Sequence, residues 1–133
     1  MYMLDTNILI YAMKHPRDQI MERLIEHTAI DLCISTVTYA ELLLGVEKSA
    51  YSDKNRSLLM RFLFGVEILD FDQEAAQHYA NIKAALQKQG MPVGDLDMMI
   101  AGHARSLGYT VVTNNRKHFD RIDGLKVEDW VER

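Results

Sequence analysis

At 133 residues the chain is long enough for one domain that buries roughly two thirds of its unfolded surface. Its net charge of −4 argues against a protein that coats nucleic acid through bulk electrostatics, although clustered carboxylates and local basic groups would still suit a nuclease. No apolar run reaches the ~18 residues needed to span a membrane, and no basic segment followed by an apolar one opens the chain, so neither anchor nor leader is expected.

Tyr2, Met3 and Leu4 form a short apolar stretch that meets Asp5, Thr6 and Asn7 before Ile8 to Met13 resume an apolar run. That pattern predicts a buried strand feeding a helix. Asp5 then stands at the carboxyl end of the strand, where open α/β sheets place their ligands, and Thr6 or Asn7 is the expected helix cap. Pro16 suits the first turn of a further helix, with Ile20, Met21, Leu24 and Ile25 at helical spacing. Leu32, Cys33 and Ile34 predict the second strand, and Ser35 and Thr36 offer a cap. The lone Cys33 reads as a buried thiol, which excludes an intrachain disulfide and suits a reducing cytoplasm.

The next helix carries Val37, Ala40, Leu43, Leu44 and Val46. Residues 52–57 are expected as a polar connector before a helical stripe of Leu58, Leu59, Phe62, Leu63 and Val66. Residues 67–71 predict a third strand, with Asp72 capping a long helix whose inner face is Ala75, Tyr79, Ile82 and Leu86. Gly90 stops that helix and Pro92 supports the stop. A helix from about Asp95 to Leu107 ends at Gly108, and residues 109–112 make the fourth strand. Thr113, Asn114 and Asn115 leave its carboxyl end; Asp123 and Gly124 mark a turn, and residues 126–130 a short last strand. The alternation predicts a single α/β domain over residues 1–133, with a mostly parallel central sheet of about four to five strands flanked by helices.

Three acids stand out by position. Glu41 follows Val37 by four residues and precedes Leu44 by three, so it is expected on an inward stripe. Asp97 precedes Ile100, Ala101 and Ala104 at helical spacing. An acid on a buried face costs several kcal/mol unless it is paired, hydrogen-bonded or bound to metal. For Asp5 a purely capping role is the competing reading, and for Glu41 and Asp97 a satisfied core carboxylate or a dipole-favoured first-turn acid. Three such acids at strand ends and helix starts favour a clustered metal site. Asp95 points away from the Ile100 stripe, and its expected role is the helix N-cap, with metal support the lesser alternative. His103 is expected to pack or to face solvent, and the histidines show no zinc-ligand spacing.

These motifs resemble those of the PIN-domain ribonucleases and, within them, the VapC toxins of type II toxin–antitoxin systems. Met3-Leu4-Asp5-Thr6-Asn7 is similar to the first acidic motif of that family, and Thr38-Tyr39-Ala40-Glu41-Leu42, with Gly45 and Glu47, to the second. Pro92-Val93-Gly94 and Asp97 to Ala104 resemble the third, and residues 111–115 followed by Phe119 the fourth. The closing Gly124 to Trp130 resembles the last strand, so the likeness spans nearly the whole chain. The resemblance implies a PIN-like fold and Mg²⁺-dependent cleavage of RNA phosphodiesters, with Mn²⁺ as a substitute. It implies Asp5, Glu41 and Asp97 as catalytic and metal-ligating acids, supported by Thr6, Asn7, Thr113, Asn115 and Asp95. Many PIN domains have an aspartate where this chain has Asn115, which weakens the case for a second tightly held metal. Lys14, Arg17, Lys117 and Arg121 are candidates for RNA backbone contacts.

The same resemblance implies a cytoplasmic toxin that cuts tRNA, in particular the anticodon stem-loop of initiator tRNA, and so inhibits translation. It implies a homodimer held in check by a VapB-type antitoxin, through which alone it would meet operator DNA. Two rival readings remain. A haloacid-dehalogenase-like phosphatase also opens with a strand ending in aspartate, but it needs a second aspartate two residues later, where this chain has Asn7. An inactive PIN-fold binding module would have no use for all three acids together.

Overall fold

Strands and helices alternate along the chain as β1 (Tyr2–Leu4), α1 (Thr6–Lys14), α2 (Gln19–Glu26), β2 (Leu32–Ser35), α3 (Thr36–Lys48) and α4 (Ser52–Phe62). They continue as β3 (Glu67–Leu69), α5 (Gln73–Lys88), α6 (Asp95–Leu107), β4 (Thr110–Val112), α7 (Arg116–Phe119) and β5 (Lys126–Glu128). The structure is a computed structural model that describes the chain except residues 16, 18, 27–30, 92 and 132–133, and except the side chains of Met21 and Ile25. The expected roles of Pro16, Pro92, Met21 and Ile25 therefore lie outside the described residues.

All neighbouring strands pair in parallel, in the order β3-β2-β1-β4-β5. The chain lays β2 and β3 on one side of β1, then places β4 and β5 on the other. The order reverses between β1 and β4, and such a switch point opens a crevice at the carboxyl ends of the strands. The Asp5 amide donates to the Val112 carbonyl at 3.0 Å, so the β1–β4 pairing runs up to the lip of that crevice.

The strands read as continuous apolar runs because both faces of the sheet are covered. Alternate residues serve opposite cores. Leu4, Leu32, Ile34 and Val112 face one core with Ile8 and Leu9 of α1, Leu42 of α3 and Leu59 of α4. Met3, Cys33 and Val111 face the other with Ile82 and Leu86 of α5 and Met98, Ile100, Ala101 and Ala104 of α6.

Several boundaries differ from the expected ones. Residues 52–57 are not a connector but the first turns of α4, where Asp53 suits the helix N-terminus. Their polarity marks an exposed helix face. β3 stops at Leu69 and β5 at Glu128, both at sheet edges, where short strands limit unwanted pairing. α7 was not expected at all, since four residues are too few for a periodic signal. The stop of α5 is as expected. Gly90 adopts φ 68°, the Gly90 amide donates to the Gln87 carbonyl and the Met91 amide to that of Leu86 at 2.9 Å, a Schellman arrangement.

α5 and α6 pack backbone to backbone at one point. A Cβ built on Gly102 would lie 2.6 Å from the Tyr79 nitrogen and 2.8 Å from its Cα, with backbone rather than a yielding side chain in the way. Gly102→Ala is therefore expected to destabilise the fold by roughly 1–3 kcal/mol. Urea unfolding followed by circular dichroism checks this; a midpoint equal to the wild type would contradict it.

Candidate metal centre

Asp5 leaves β1 in extended conformation (φ −81°, ψ 169°), and its Oδ1 accepts a hydrogen bond from the Ile8 amide at 2.8 Å. The N-cap of α1 is thus Asp5 itself, not Thr6 or Asn7, because the cap residue must be the last extended one. Capping uses one carboxylate oxygen. Oδ2 is buried with no hydrogen-bond partner, in a side chain only 1% exposed. Burial pushes the Asp5 carboxyl up to about 6. The nearby Thr113 hydroxyl and the Ile8 amide favour its charged form, while the charges of Asp97 and Glu41 oppose it.

Glu41 is half-buried on α3, a helix capped by the Ser35 hydroxyl, which accepts from the Val37 amide at 3.1 Å. The inward stripe of α3 is Thr38, Leu42 and Val46, whereas Leu44 is 59% exposed. Glu41 therefore flanks the buried stripe rather than lying on a Val37–Leu44 line. Its Oε1 accepts a hydrogen bond from the Thr6 hydroxyl at 2.7 Å, which ties α3 to the residue after Asp5.

Asp97 is half-buried in the first turn of α6, beside the fully buried Met98 and Ile100. Asp95 is not the cap of that helix; Gly94 holds the position without a side-chain cap, because α6 already begins at Asp95. The Asp95 carboxylate instead accepts from the Tyr79 hydroxyl at 3.0 Å and pairs with Lys83 at 3.1 Å, both on α5. Lys83 and then Tyr79 hold the Asp95 carboxyl below its ordinary range.

Of the other expected residues, Thr113 is buried and its Oγ1 accepts from the Asn115 amide at 2.9 Å. Asn7 is exposed, and Asn115 is half-buried at the start of α7. Lys14, Arg17, Lys117 and Arg121 are all exposed. His103 packs: it is 2% exposed, its Nδ1 lies 2.8 Å from the Ser35 hydroxyl, and its ring meets Phe71 edge-on. One neighbour was missed. His118 on α7 places Nδ1 2.8 Å from Asp97 Oδ2. A solitary histidine on a four-residue helix carries no spacing signal, and only the tertiary fold brings it to Asp97.

The structure thus brings Asp5, Glu41 and Asp97 near enough for the latter two to disfavour charge on the first. Among the described residues no three His, Cys, Asp or Glu side chains are gathered tightly enough to cage an ion on their own. By its chemistry an all-oxygen donor set suits a hard divalent cation that keeps part of its water shell. The orphaned Asp5 Oδ2 is the atom most in want of a positive partner. Beside Glu41 runs a groove of ≈ 520 Å³ between α1, α3 and α4, lined by Met13, Leu42, Val46, Leu58 and Phe62 among others. It meets the acids only through Glu41.

Fold and donor set together define an α/β protein with an acidic site at the carboxyl edge of a parallel sheet. The PIN domain family model matches residues 2–125. Similar proteins include the tRNA(fMet)-specific endonuclease VapC of Shigella flexneri, 45% identical over 129 residues and 97% of each chain. Ribonuclease VapC2 of Haemophilus influenzae is 45% identical over 130 residues and 98% of each chain. Among solved structures, that of DNA-bound VapBC from Salmonella typhimurium superposes with a TM-score of 0.92 at 45% identity, covering 97% of each chain. VapBC2 from Rickettsia felis, bound to a promoter fragment, gives 0.91 at 38% identity over 97% of this chain and 98% of that one. The chain belongs to the PIN-domain family, among its VapC proteins. The phosphatase reading finds no support in these relatives.

The raised Asp5 carboxyl has a stability consequence. Between the ordinary carboxylate value of 3.8 and about 6, the folded state holds a proton that the unfolded state has lost. Stability therefore falls as pH rises across that window and then levels off. Asp5→Asn keeps the cap and removes the charge, so the metal-free variant should be more stable than wild type at pH 7–8 by up to ~3 kcal/mol. The advantage should vanish towards pH 4. Thermal melts in chelator at stepped pH measure it, and a gain that grows on acidification would contradict the cause.

Proposed function

We propose that the chain is a ribonuclease toxin that cleaves tRNA, specifically initiator tRNA, through a Mg²⁺-dependent site at Asp5, Glu41 and Asp97, with Mn²⁺ as substitute. The observation that carries this is the buried Asp5 carboxylate, whose Oδ2 lacks a partner beside two further acids. The names of the Shigella flexneri and Haemophilus influenzae relatives support the substrate class. Cutting the anticodon stem-loop would remove the tRNA that starts translation. The chain acts as one PIN domain in the cytoplasm, as a homodimer.

Asp5 and Asp97 would hold the ion. When bound, it would polarise a phosphoryl oxygen and lower the pKa of a water in its shell. Glu41, held by the Thr6 hydroxyl, would serve as the general base that orients the attacking water and accepts its proton. Thr113 supports Asp5 by favouring its ionised form. Exposed Lys117 and Arg121 would meet RNA phosphates, whereas Arg116 is already paired with Asp120.

Purified variants test the site. Asp5→Asn and Asp97→Asn should lose detectable cleavage while folding normally. Glu41→Gln should fall by about 10²–10⁴ as expected for a lost general base. Asp95→Asn should cleave like wild type, because that carboxylate is engaged by α5. Full activity in Asp5→Asn or Asp97→Asn would refute the assignment.

The partner is a VapB-type antitoxin, as in the solved VapBC complexes, and operator DNA would be reached only through it. The apolar groove ending at Glu41 suits an amphipathic helix of that partner. An adjoining Arg or Lys would then reach the acids and pair with them in place of metal. Leu58, 46% exposed in the groove lining, offers the test. Leu58→Asp should weaken antitoxin capture in pull-downs while leaving cleavage by the free toxin intact. Unchanged capture would move the docking surface elsewhere.

A further inference from the structure

His118 touches one of the acids, and nothing in the reaction as described uses it. Its Nδ1 lies 2.8 Å from Asp97 Oδ2. An ionised carboxylate only accepts, so Nδ1 carries the hydrogen. The Asn115 amide nitrogen is 3.3 Å from both ring nitrogens. An atom equidistant from the two nitrogens lies off the in-plane lone-pair direction of both, so Asn115 packs against the imidazole and the Nδ1–H bond to Asp97 Oδ2 is the directed contact.

That contact adds little to stability. The two side chains are 43% and 22% exposed, a wet margin where such pairs contribute little. α7 is anchored instead by its buried neighbour Phe119. What the bond does is fix a rotamer. With Oδ2 held by an N–H, Asp97 presents Oδ1 as its free oxygen. Carboxylates that ligate metal are commonly held this way by a second hydrogen-bonding group.

We propose that His118 is a positioning residue of the site, orienting Asp97 through an Nδ1–H bond so that a single carboxylate oxygen is offered to a divalent cation. The proposal rests on Asp97 being a ligand, as inferred above. Because position 115 is an amide and position 118 an imidazole with Nδ1–H on Asp97, the α7 side of the site brings hydrogen-bond donors and no further carboxylate.

The test uses Mn²⁺ titrated calorimetrically into the full-length protein, alongside steady-state RNA cleavage. His118→Ala should weaken Mn²⁺ binding by about tenfold and lower kcat in step, with KM for RNA unchanged. His118→Asn sets an amide N–H where Nδ1–H stood and should recover most of both. His118→Gln sets it at the Nε2 position and should not. Nitrogen-15 imidazole spectra of the wild type should show His118 protonated at Nδ1. Equal Mn²⁺ affinity in wild type and His118→Ala, or no difference between His118→Asn and His118→Gln, would overturn the proposal. The Asn and Gln pair keeps the comparison valid if the Ala variant folds poorly. Should Asp97→Asn bind Mn²⁺ like wild type, the ligand assignment itself falls and this proposal with it. Should Asp97→Asn lose the metal while His118→Ala keeps it, only His118 is misassigned.

Discussion

The site depends on one carboxylate buried at the end of a central strand. Asp5 must cap α1, since the chain turns from strand to helix there, and one oxygen suffices for that. The other is left in the protein interior without a well-formed hydrogen bond, and the nearby Thr113 hydroxyl offsets its burial only in part. A core does not ordinarily tolerate such an atom. The strain is electrostatic, and it is compounded by two more acids close by. A positive charge removes it, whether from an ion or from a basic side chain of another molecule. On the function proposed above, folding and activity oppose each other at a single atom, as expected where a fold gives up stability to hold a reactive group.

The sheet explains why these acids meet at all. Met3 and Leu4, adjacent in sequence, face different cores, and the same parity holds for Cys33 and Ile34 and for Val111 and Val112. Each strand is thereby locked on both faces, and a slip by one residue would exchange the two cores. With register fixed, the residue after each strand is fixed too. Asp5 follows β1, Ser35 closes β2 and caps the helix bearing Glu41, and Thr113 follows β4.

Much of this was legible in the sequence, and the misses have physical causes. The apolar runs at Tyr2–Leu4 and Leu32–Ile34 marked their strands because parallel strands are buried on both sides. Asp72, Gly90 and Gly108 marked helix ends because caps obey local stereochemistry. The polar residues 52–57 misled because an exposed helix face and a loop have the same composition. Asp95 misled because capping preference does not say which residue is the last extended one. On α3, Leu44 looked inward by spacing yet is exposed, because so apolar a helix offers more than one stripe and the one that packs runs through Thr38, Leu42 and Val46. His118 was beyond reach, since its partner lies on a different helix and no local pattern joins them.

The contact between α5 and α6 bears on Asp97 in a way that is purely mechanical. Tyr79 grips α6 twice: its backbone abuts Gly102, and its hydroxyl binds Asp95, two turns away along the same helix. The backbone contact at Gly102 resists sliding, and the hydroxyl contact at the exposed Asp95 adds a weaker guide to rotation. Each residue of a helix sweeps about 100° around its axis, so rotation by a single position would swing Asp97 out of the crevice. Tyr79 thus bears on the azimuth of a candidate site residue while standing outside the candidate site.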